Sequence, residues 1–339
     1  MIPRIGFLGT GWIGRHRMQA LLASGAVQAA AICDPSPECL AEAQAIAPDA
    51  AAAGSYEAML AMDLDGIVIA TPSAQHAAQS IQALRAGAAV FCQKPLGRNA
   101  AETRKVVDAA RAADRLLGVD LSYRHTRAMR AIAGLVRSGA LGRLFAVDLT
   151  FHNAYGPDKP WFYDRALSGG GCLIDLGVHL VDLALWTLGF PEVDEVSASL
   201  RGGGAPLQPG AVEDYASAHF SAGGVDVRLA CSWRLNAGRD AVIEAAFYGT
   251  EGGAALRNVG GSFFDFTADH FHGTSTTRLV DPPDDWGGGA AIAWARQLAA
   301  ARGFDLRAEQ LVHLAGVLDA IYDSAAPAVA DPALRLVRP

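Results

Sequence analysis

The sequence predicts an α/β protein in two parts: a parallel sheet with helices on both faces, then an α+β part with a largely antiparallel sheet. Up to about residue 121, short and continuously apolar strands alternate with helices, a pattern typical of a parallel sheet that is buried on both faces. From residue 122 onward, strands follow one another with few helices between them. Because 339 residues exceed one ordinary core, we predict domains at 1–121 and 122–339.

The first part contains five predicted strands and four predicted helices. The strands cover residues 5–8, 27–33, 66–70, 88–92 and 116–121, and the helices cover residues 13–24, 38–46, 74–86 and 101–114. Gly87 follows the third helix, a position where glycine commonly ends a helix. In this arrangement the carboxyl ends of the strands meet at one edge of the sheet, where such folds bind ligands.

The second part begins with a helix and is then dominated by strands. Strands are predicted at 144–151, 193–201, 212–220, 225–235 and 241–248, and helices at 127–138, 172–188, 290–301 and 308–324. The alternation of apolar and polar residues along 225–229 predicts a sheet with one covered face. Stretches rich in glycine and proline at 202–210 and 281–289 are predicted loops.

Composition and charge exclude several classes of protein. Hydrophobic residues make up 51% of the chain and charged residues 19%, which excludes a disordered or fibrous protein. With 28 basic and 35 acidic residues, the chain offers no basic surface for nucleic acid. No apolar stretch reaches membrane-spanning length, and we expect no removable leader because the first strand supports a binding motif. Five scattered cysteines indicate reduced thiols, so we predict a cytoplasmic protein without nucleic-acid or membrane partners.

A glycine-rich turn joins the first strand to the first helix. In this GxGxxG run, Gly9 permits a tight turn, Gly11 lets the backbone approach a pyrophosphate, and Gly14 lets the helix pack closely on the strand. Asp34 ends the second strand, where a carboxylate accepts hydrogen bonds from the adenosine ribose and repels a 2′-phosphate. The pattern therefore predicts NAD, with NADP disfavoured. The predicted coenzyme contacts here are Gly9, Gly11, Trp12, Ile13, Gly14 and Asp34.

Two further segments carry groups suited to acid–base chemistry. Gln93-Lys94-Pro95 follows a strand of the parallel sheet and so lies at its carboxyl edge. Asp175 and His179 are four residues apart in a predicted helix and therefore share one face of it. An isolated lysine after a strand, or an Asp/His pair on a helix, is usually structural, so their combination with a dinucleotide motif is what favours catalysis.

In order and spacing, these segments resemble the glucose–fructose oxidoreductase/inositol dehydrogenase (Gfo/Idh/MocA) family over nearly the whole chain. The matching features are the GxGxxG turn, Ala70-Thr71-Pro72 with His76, Lys94-Pro95, Tyr123-Arg124, Trp161, the GGGxxxDxGxH run from Gly169 to His179, and Gly249-Thr250-Glu251-Gly252. The resemblance implies a Rossmann domain and a C-terminal α/β domain with an open sheet. It also implies redox chemistry on sugars or cyclitols, and homodimers or homotetramers formed through the sheet face.

The resemblance also implies roles for individual residues. Lys94 matches the active-site lysine of the family, and Asp175 and His179 match its acid/base pair. Further coenzyme contacts are implied for Thr71, Pro72, His76, Gln93 and Lys94. The family commonly has Glu before the lysine, whereas this chain has Gln93. The missing negative charge leads us to expect that the Lys94 ammonium deprotonates more readily than in relatives.

Oxidation of a secondary alcohol requires a proton acceptor and a group that stabilises the developing alkoxide. His179 suits the proton acceptor, with Asp175 orienting it or binding a neighbouring hydroxyl. Lys94 suits the alkoxide-stabilising role. Whether Lys94 or His179 takes the proton is left open by the sequence.

Several aromatic and polar residues are candidates for a polyol pocket. Besides Lys94, Asp175 and His179, they are Tyr123, Arg124, His152, Asn153, Tyr155, Trp161 and Tyr163. His270 and His272 could share one face of a strand, but no convergent third ligand is evident, so we predict no metal site.

The sequence thus predicts an NAD-dependent oxidoreductase that moves a hydride between NAD and a secondary alcohol of a sugar, a sugar derivative or a cyclitol such as inositol. Two alternatives remain. One is an NAD-dependent glycosidase that oxidises its sugar only transiently. The other is a non-catalytic regulatory protein that senses a dinucleotide with the same fold.

Overall fold

The computed structural model describes residues 2–284 and 286–325. Its first part contains a six-stranded parallel sheet in the order β3–β2–β1–β4–β5–β6. The strands are β1 (Arg4–Leu8), β2 (Gln28–Cys33), β3 (Ala51–Ala52), β4 (Gly66–Ile69), β5 (Ala89–Cys92) and β6 (Leu117–Val119). The strand order reverses between β1 and β4, which places a crevice at their carboxyl ends. The predicted Rossmann fold is confirmed.

Five helices connect these strands. They are α1 (Trp12–Ala23), α2 (Pro37–Ile46), α3 (Tyr56–Leu60), α4 (Ser73–Arg85) and α5 (Ala100–Ala113). Local signals fix several starts: the Ser36 hydroxyl accepts a hydrogen bond from Cys39 N, and the Asn99 side chain accepts one from Glu102 N. The short β3 and α3 were not predicted, because neither is long enough to show a periodic pattern.

The second part is built on a nine-stranded sheet in the order β15–β14–β13–β12–β7–β11–β10–β8–β9. Only the β7–β11 pair is parallel, so the expected mostly antiparallel sheet is confirmed. The strands are β7 (Leu144–Asn153), β8 (Val193–Gly202), β9 (Ala205–Pro206), β10 (Tyr215–Ala222), β11 (Val225–Ser232), β12 (Ala241–Gly249), β13 (Gly253–Asn258), β14 (Phe266–His272) and β15 (Ser275–Val280).

Helices cover the inner face of this sheet and form its core. Along β7, Val147, Leu149 and Phe151 alternate inward and pack with Val181 and Leu185 of helix α8 (Val178–Leu188). Each such side chain contributes roughly 1.5–3 kcal/mol by leaving water. The helices of this part are α6 (Arg127–Arg137), α7 (Arg165–Ser168), α8 (Val178–Leu188), α9 (Gly289–Ala300) and α10 (Glu309–Ser324).

The helix expected at 172–188 is not uniformly α-helical. Its first turn, Leu173–Gly177, is a π-helical turn, and α8 continues from it. Among the residues described, the helical stretch Arg165–Leu188 is long and apolar enough to span a membrane, but 83% of its apolar window is buried inside the molecule. That burial is what a core helix of this sheet requires.

Helix α9 follows the second sheet in the chain but packs against the first sheet. Its Trp294 contacts Phe91 of β5, with ring centroids 5.6 Å apart. A Cβ on Gly66 or Gly118 would lie 2.8 Å from the Trp294 ring, so both strands need glycine for this approach. The chain therefore returns from the second sheet to the first. The division into two domains at residue 121 stays a prediction.

Candidate active site

The glycine-rich turn has the geometry that a bound pyrophosphate requires. Gly9 has a φ of +81°, and a Cβ there would lie 2.7 Å from the Ala70 carbonyl group. A Cβ on Gly14 would lie 2.1 Å from the Gly9 oxygen, whereas one on Gly11 would meet no atom within 4 Å. Helix α1 has no side-chain cap, so its first N–H groups can donate hydrogen bonds to phosphate oxygens.

Asp34 is fixed at the end of β2, beside the same turn. Its carboxylate accepts hydrogen bonds from Thr10 N at 2.6 Å and from Ser36 N at 2.8 Å. Its remaining lone pairs can accept ribose hydroxyls, while a 2′-phosphate would meet a negative charge. These residues fit a dinucleotide of the NAD type.

His76 is buried between the loops that follow β4 and β5. Its ring is buried, with Nδ1 2.7 Å from the Pro95 oxygen and Nε2 2.6 Å from the Thr71 oxygen. Burial lowers the pKa of His76. The imidazole therefore joins the loops after β4 and β5, which carry Thr71, Pro72 and Lys94.

Lys94 and Asp175 form an ion pair between the two parts of the molecule. Lys94 Nζ donates to Asp175 Oδ1 at 2.6 Å and to the Asp175 backbone oxygen at 2.7 Å. The other carboxylate oxygen accepts a hydrogen bond from Trp233 Nε1 at 3.1 Å. Asp175 is therefore held from both sides. Trp233, at the end of β11, was not recognised from sequence, because nothing local marks it as an active-site residue.

His179 lies in the first turn of α8 and is surrounded by aromatic rings. Its ring centroid is 4.9 Å from that of Tyr123 and 6.3 Å from that of Phe151. Burial, with the positive charges of Lys94 and Arg17, holds the pKa of His179 well below its ordinary value. Its buried Nδ1 has no hydrogen-bond partner. The imidazole is therefore neutral near pH 7 and able to accept a proton.

A buried polar network lies behind Lys94. Asp120 Oδ2 accepts hydrogen bonds from Arg17 Nε at 2.6 Å and from Gln93 Nε2 at 2.7 Å. Its other oxygen accepts one from the Ser122 hydroxyl at 2.9 Å. Gln93 is thus tied to a carboxylate of the neighbouring strand. The sequence did contain a signal for this network, because Arg17 falls in the buried stripe of α1 beside Met18.

Glu213 anchors the start of the segment that carries Asp175. Its Oε1 accepts hydrogen bonds from Gly171 N and Leu173 N, both at 2.9 Å, and from the Tyr322 hydroxyl at 2.8 Å. Burial raises the pKa of Glu213. This residue was not predicted, because a glutamate beside a loop normally indicates a solvated position.

The structure brings some predicted pocket residues to this group. Tyr123 touches His179, and Asn153 lies at the end of β7 with its Oδ1 buried and unpaired. Trp161 stacks on Phe162, whose ring packs against Trp233. Tyr163 also packs against Trp233, with ring centroids 5.6 Å apart, and is 37% exposed, whereas Tyr155 is 50% exposed and contacts Phe263.

Two other predicted pocket residues are committed elsewhere. The Arg124 guanidinium pairs with Asp182, with Nε and Oδ2 2.7 Å apart, and lies over the Phe190 ring at the far end of α8. His152 alternates to the face of β7 opposite Phe151, where it stacks on Tyr215 and its Nδ1 lies 2.8 Å from the Ser232 hydroxyl.

His270 and His272 lie at the end of β14. Across residues 2–284 and 286–325, no group of three or more potential ligands could hold a metal ion.

Comparisons with known proteins agree with this geometry. Residues 3–121 match the family model described as "Oxidoreductase family, NAD-binding Rossmann fold", and residues 129–255 match the GFO/IDH/MocA C-terminal domain. The chain is 30% identical over 244 residues to D-glucoside 3-dehydrogenase of Escherichia coli (strain K12), covering 67% of this chain and 68% of that protein. It is 28% identical over 272 residues to inositol 2-dehydrogenase of Rhizobium meliloti (strain 1021), covering 76% of each.

Matches with some other relatives are shorter and cover about half of those proteins, 43% and 54% in two cases. Among solved structures, a levoglucosan dehydrogenase in complex with NADH and L-sorbose superposes with a TM-score of 0.81. That superposition covers 96% of both chains at 22% identity, which shows a shared fold.

Proposed function

The chain belongs to the Gfo/Idh/MocA family of NAD-binding oxidoreductases, and from this premise we propose that it transfers a hydride between NAD and a secondary alcohol of a sugar, a sugar derivative or a cyclitol. The observation that carries the proposal is the Lys94–Asp175 ion pair beside the neutral His179, next to the carboxyl edge of the coenzyme-binding sheet. When bound, NAD supplies the nicotinamide carbon that accepts or returns the hydride.

In this proposal Lys94 positions and polarises the reacting oxygen. Its ammonium is held by Asp175, which Trp233 fixes in turn, so the charge is aimed before the substrate arrives. An ammonium in that position stabilises alkoxide character in the transition state without reorganising.

We assign the proton acceptor to His179. Its imidazole is neutral because burial and two nearby cations disfavour the protonated form. After accepting the alcohol proton, it would carry a charge in that same environment, which favours release of the proton to solvent or to the next substrate. The substrate-binding set that we propose comprises Lys94, Tyr123, Asn153, Trp161, Asp175 and His179.

The cellular setting is also a proposal. Tyr248 of β12 is 37% exposed and alternates to the face opposite the buried Phe247, which is the outer face of the nine-stranded sheet. This exposed ring, together with the family resemblance, favours a homodimer or homotetramer through that face. All five cysteines are free thiols, which fits a reducing cytoplasm.

The test is NADH formation when the purified protein and NAD are mixed with a panel of methyl glucosides, aldoses and inositols. We expect Lys94→Ala and His179→Ala to abolish turnover while NAD binding, measured by calorimetry, is retained. Lys105→Ala, at an exposed position, and His219→Ala, whose side chain is 42% exposed, serve as matched controls. Turnover unchanged in the two active-site variants would reject the site, and aglycone release without net NADH would favour the glycosidase alternative.

A further inference from the structure

A continuous row of aromatic side chains borders the crevice between the two sheets. It is defined here as the aromatic rim and runs from Tyr155 through Phe263, Phe264 and Trp286 to Trp12. Successive ring centroids lie 6.4, 6.3, 5.2 and 6.4 Å apart. The rim joins four separate segments of the chain: the loop after β7, the loop before β14, the segment before α9, and the start of α1 at the glycine-rich turn.

Most of this rim faces solvent. Tyr155 is 50% exposed, Phe264 45% and Trp12 60%. Nearby rings of the hydrophobic core are not exposed in this way, since Phe151 and Phe266 are almost completely buried. Contiguous apolar exposure of this kind marks a binding surface more often than a structural one.

A single aromatic ring, that of Tyr123, separates the rim from His179, the proposed proton acceptor. Trp286 packs against Tyr123 with centroids 6.3 Å apart, and Tyr123 packs against His179. At the other end, Tyr155 follows Phe151 by four residues, and Phe151 itself lies near His179. Four residues of extended chain span up to about 13 Å. The exposed rings of Tyr155 and Phe264, defined here as the distal rim, are therefore within reach of a second ring joined to a sugar held at Lys94 and His179.

The Trp12 end and the Tyr155 end have different surroundings. Trp12 begins α1 directly after Gly11, so this end of the rim belongs to the turn that would hold the coenzyme. Tyr155, Phe263 and Phe264 lie on loops of the second part, beyond the glycine-rich turn. The exposed rings of Tyr155 and Phe264 offer flat apolar faces, which bind the C–H face of a sugar ring or the face of an aryl group.

Resting on the proposed function, we infer that the preferred substrate is a two-ring glycoside. Its reacting sugar lies at Lys94 and His179, and its second ring, a further sugar or an aryl aglycone, stacks on Tyr155 and Phe264. The distal rim is then a specificity surface that contributes binding without touching the reacting atoms.

The experiment compares substrates with one and two rings. Steady-state kinetics are measured with methyl β-glucoside, a glucose disaccharide and phenyl β-glucoside. We expect kcat/KM for at least one two-ring substrate to exceed that for the methyl glucoside by about tenfold or more, the scale of one good aromatic contact. The disaccharide and the phenyl glucoside distinguish a sugar from an aryl second ring.

Phe264→Ala is the decisive variant. It should remove most of the two-ring advantage, mainly through KM, and leave methyl glucoside kinetics unchanged. Phe264→Tyr keeps the ring and should retain the advantage. Leu306→Ala, at another exposed apolar position (71% exposed), controls for a general loss of apolar surface. Tyr155→Ala should likewise weaken the binding of two-ring substrates.

The outcomes separate the two proposals. Equal kcat/KM for one-ring and two-ring substrates, or equal losses for both in Phe264→Ala, would overturn the inference alone. A change in the molar mass of Phe264→Ala by light scattering would also overturn it, because the rim would then be a subunit contact. If no sugar or cyclitol is turned over, the proposed function fails. Quenching of intrinsic tryptophan fluorescence by the phenyl glucoside, compared between the natural chain and Phe264→Ala, would then still test binding to the rim.

Discussion

Gln93 shares an oxygen of Asp120 with Arg17, with the Gln93 amide nitrogen 2.7 Å from that oxygen. The sequence analysis gave Gln93 an implied coenzyme contact and a missing negative charge beside Lys94, but no hydrogen-bond partner for its side-chain amide. In the structure its side chain lies within hydrogen-bond distance of the Asp120 carboxylate, and Gln93 and Asp120 are both buried. The neutral amide is therefore the form that the Asp120 carboxylate requires.

We predict that Gln93→Glu alone is harmful and that Asp120→Asn in the same chain restores function. Two buried carboxylates at this distance cannot both ionise, so Gln93→Glu should lower kcat/KM at least tenfold at neutral pH, with partial recovery at lower pH. In Gln93→Glu/Asp120→Asn the pair is again one acid and one amide. The measurement is kcat/KM against pH for the natural chain and the three variants. A double variant no better than the worse single variant would contradict the prediction.

The neutral state of His179 depends on its neighbours as well as on burial. Because the Lys94 charge lowers the pKa of His179, Lys94→Met should raise it towards the ordinary value of about 6.5. The measurement is an NMR titration of the His179 ring signals, which needs no turnover. Lys105→Met provides the matched control, and an unchanged titration midpoint in Lys94→Met would show that the lysine does not act on the imidazole.

At the scale of elements, the sequence predicted most of the parallel sheet because its strands are continuously apolar and its helices carry local start signals. The sequence did not predict those elements whose structure depends on tertiary contacts. β15 has five exposed residues and one buried residue, so it shows no apolar pattern. The π-helical turn Leu173–Gly177 was also missed, since helix periodicity alone does not distinguish it from an α-helical turn.

Glu213 is the tertiary contact that fixes the start of this turn. In Glu213→Ala, two buried N–H groups and the Tyr322 hydroxyl would lose their acceptor, and Asp175 would shift. We predict a fall in kcat of up to about a hundredfold, the cost of misplacing a catalytic group by about 1 Å, with NAD affinity retained. Glu213→Gln keeps one acceptor oxygen and should retain more activity than Glu213→Ala. Equal activity of the natural chain and Glu213→Ala would exclude this positioning role.

At the scale of the whole molecule, the chain crosses back between its two sheets. The sequence predicted α9 but not where it packs, because an apolar helix face does not specify its partner. Trp294 fills the space above Gly66 and Gly118. We predict that Trp294→Ala lowers the free energy of unfolding by about 3–5 kcal/mol. Urea denaturation measures the loss, and Trp294→Phe should lose less. A smaller effect of Trp294→Ala than of Trp294→Phe would show that α9 does not depend on this contact.

Four buried or partly buried histidines connect the stability of both parts to pH. Burial is the main cause that lowers the pKa of His76, His125, His152 and His179, for His125 to about 4. In the unfolded chain these groups take up protons near pH 6.5, whereas in the folded chain they do so only at lower pH. The stability that these imidazoles contribute is therefore fully present above about pH 6.5 and is lost as the pH falls below it, for His125 down to about pH 4.

His125 isolates this effect because it lies outside the proposed catalytic group. Over the pH range in which His125 is protonated only in the unfolded chain, the unfolding free energy falls by up to about 1.4 kcal/mol per pH unit. Buried carboxyl groups with raised pKa, such as Asp182 and Glu213, act in the opposite direction below neutrality, so the comparison must be made between variants. We predict that His125→Asn flattens the fall in unfolding free energy between pH 6.5 and pH 5. Urea denaturation at both values measures it, and parallel slopes for the two chains would show that this imidazole is protonated equally in the folded and unfolded states.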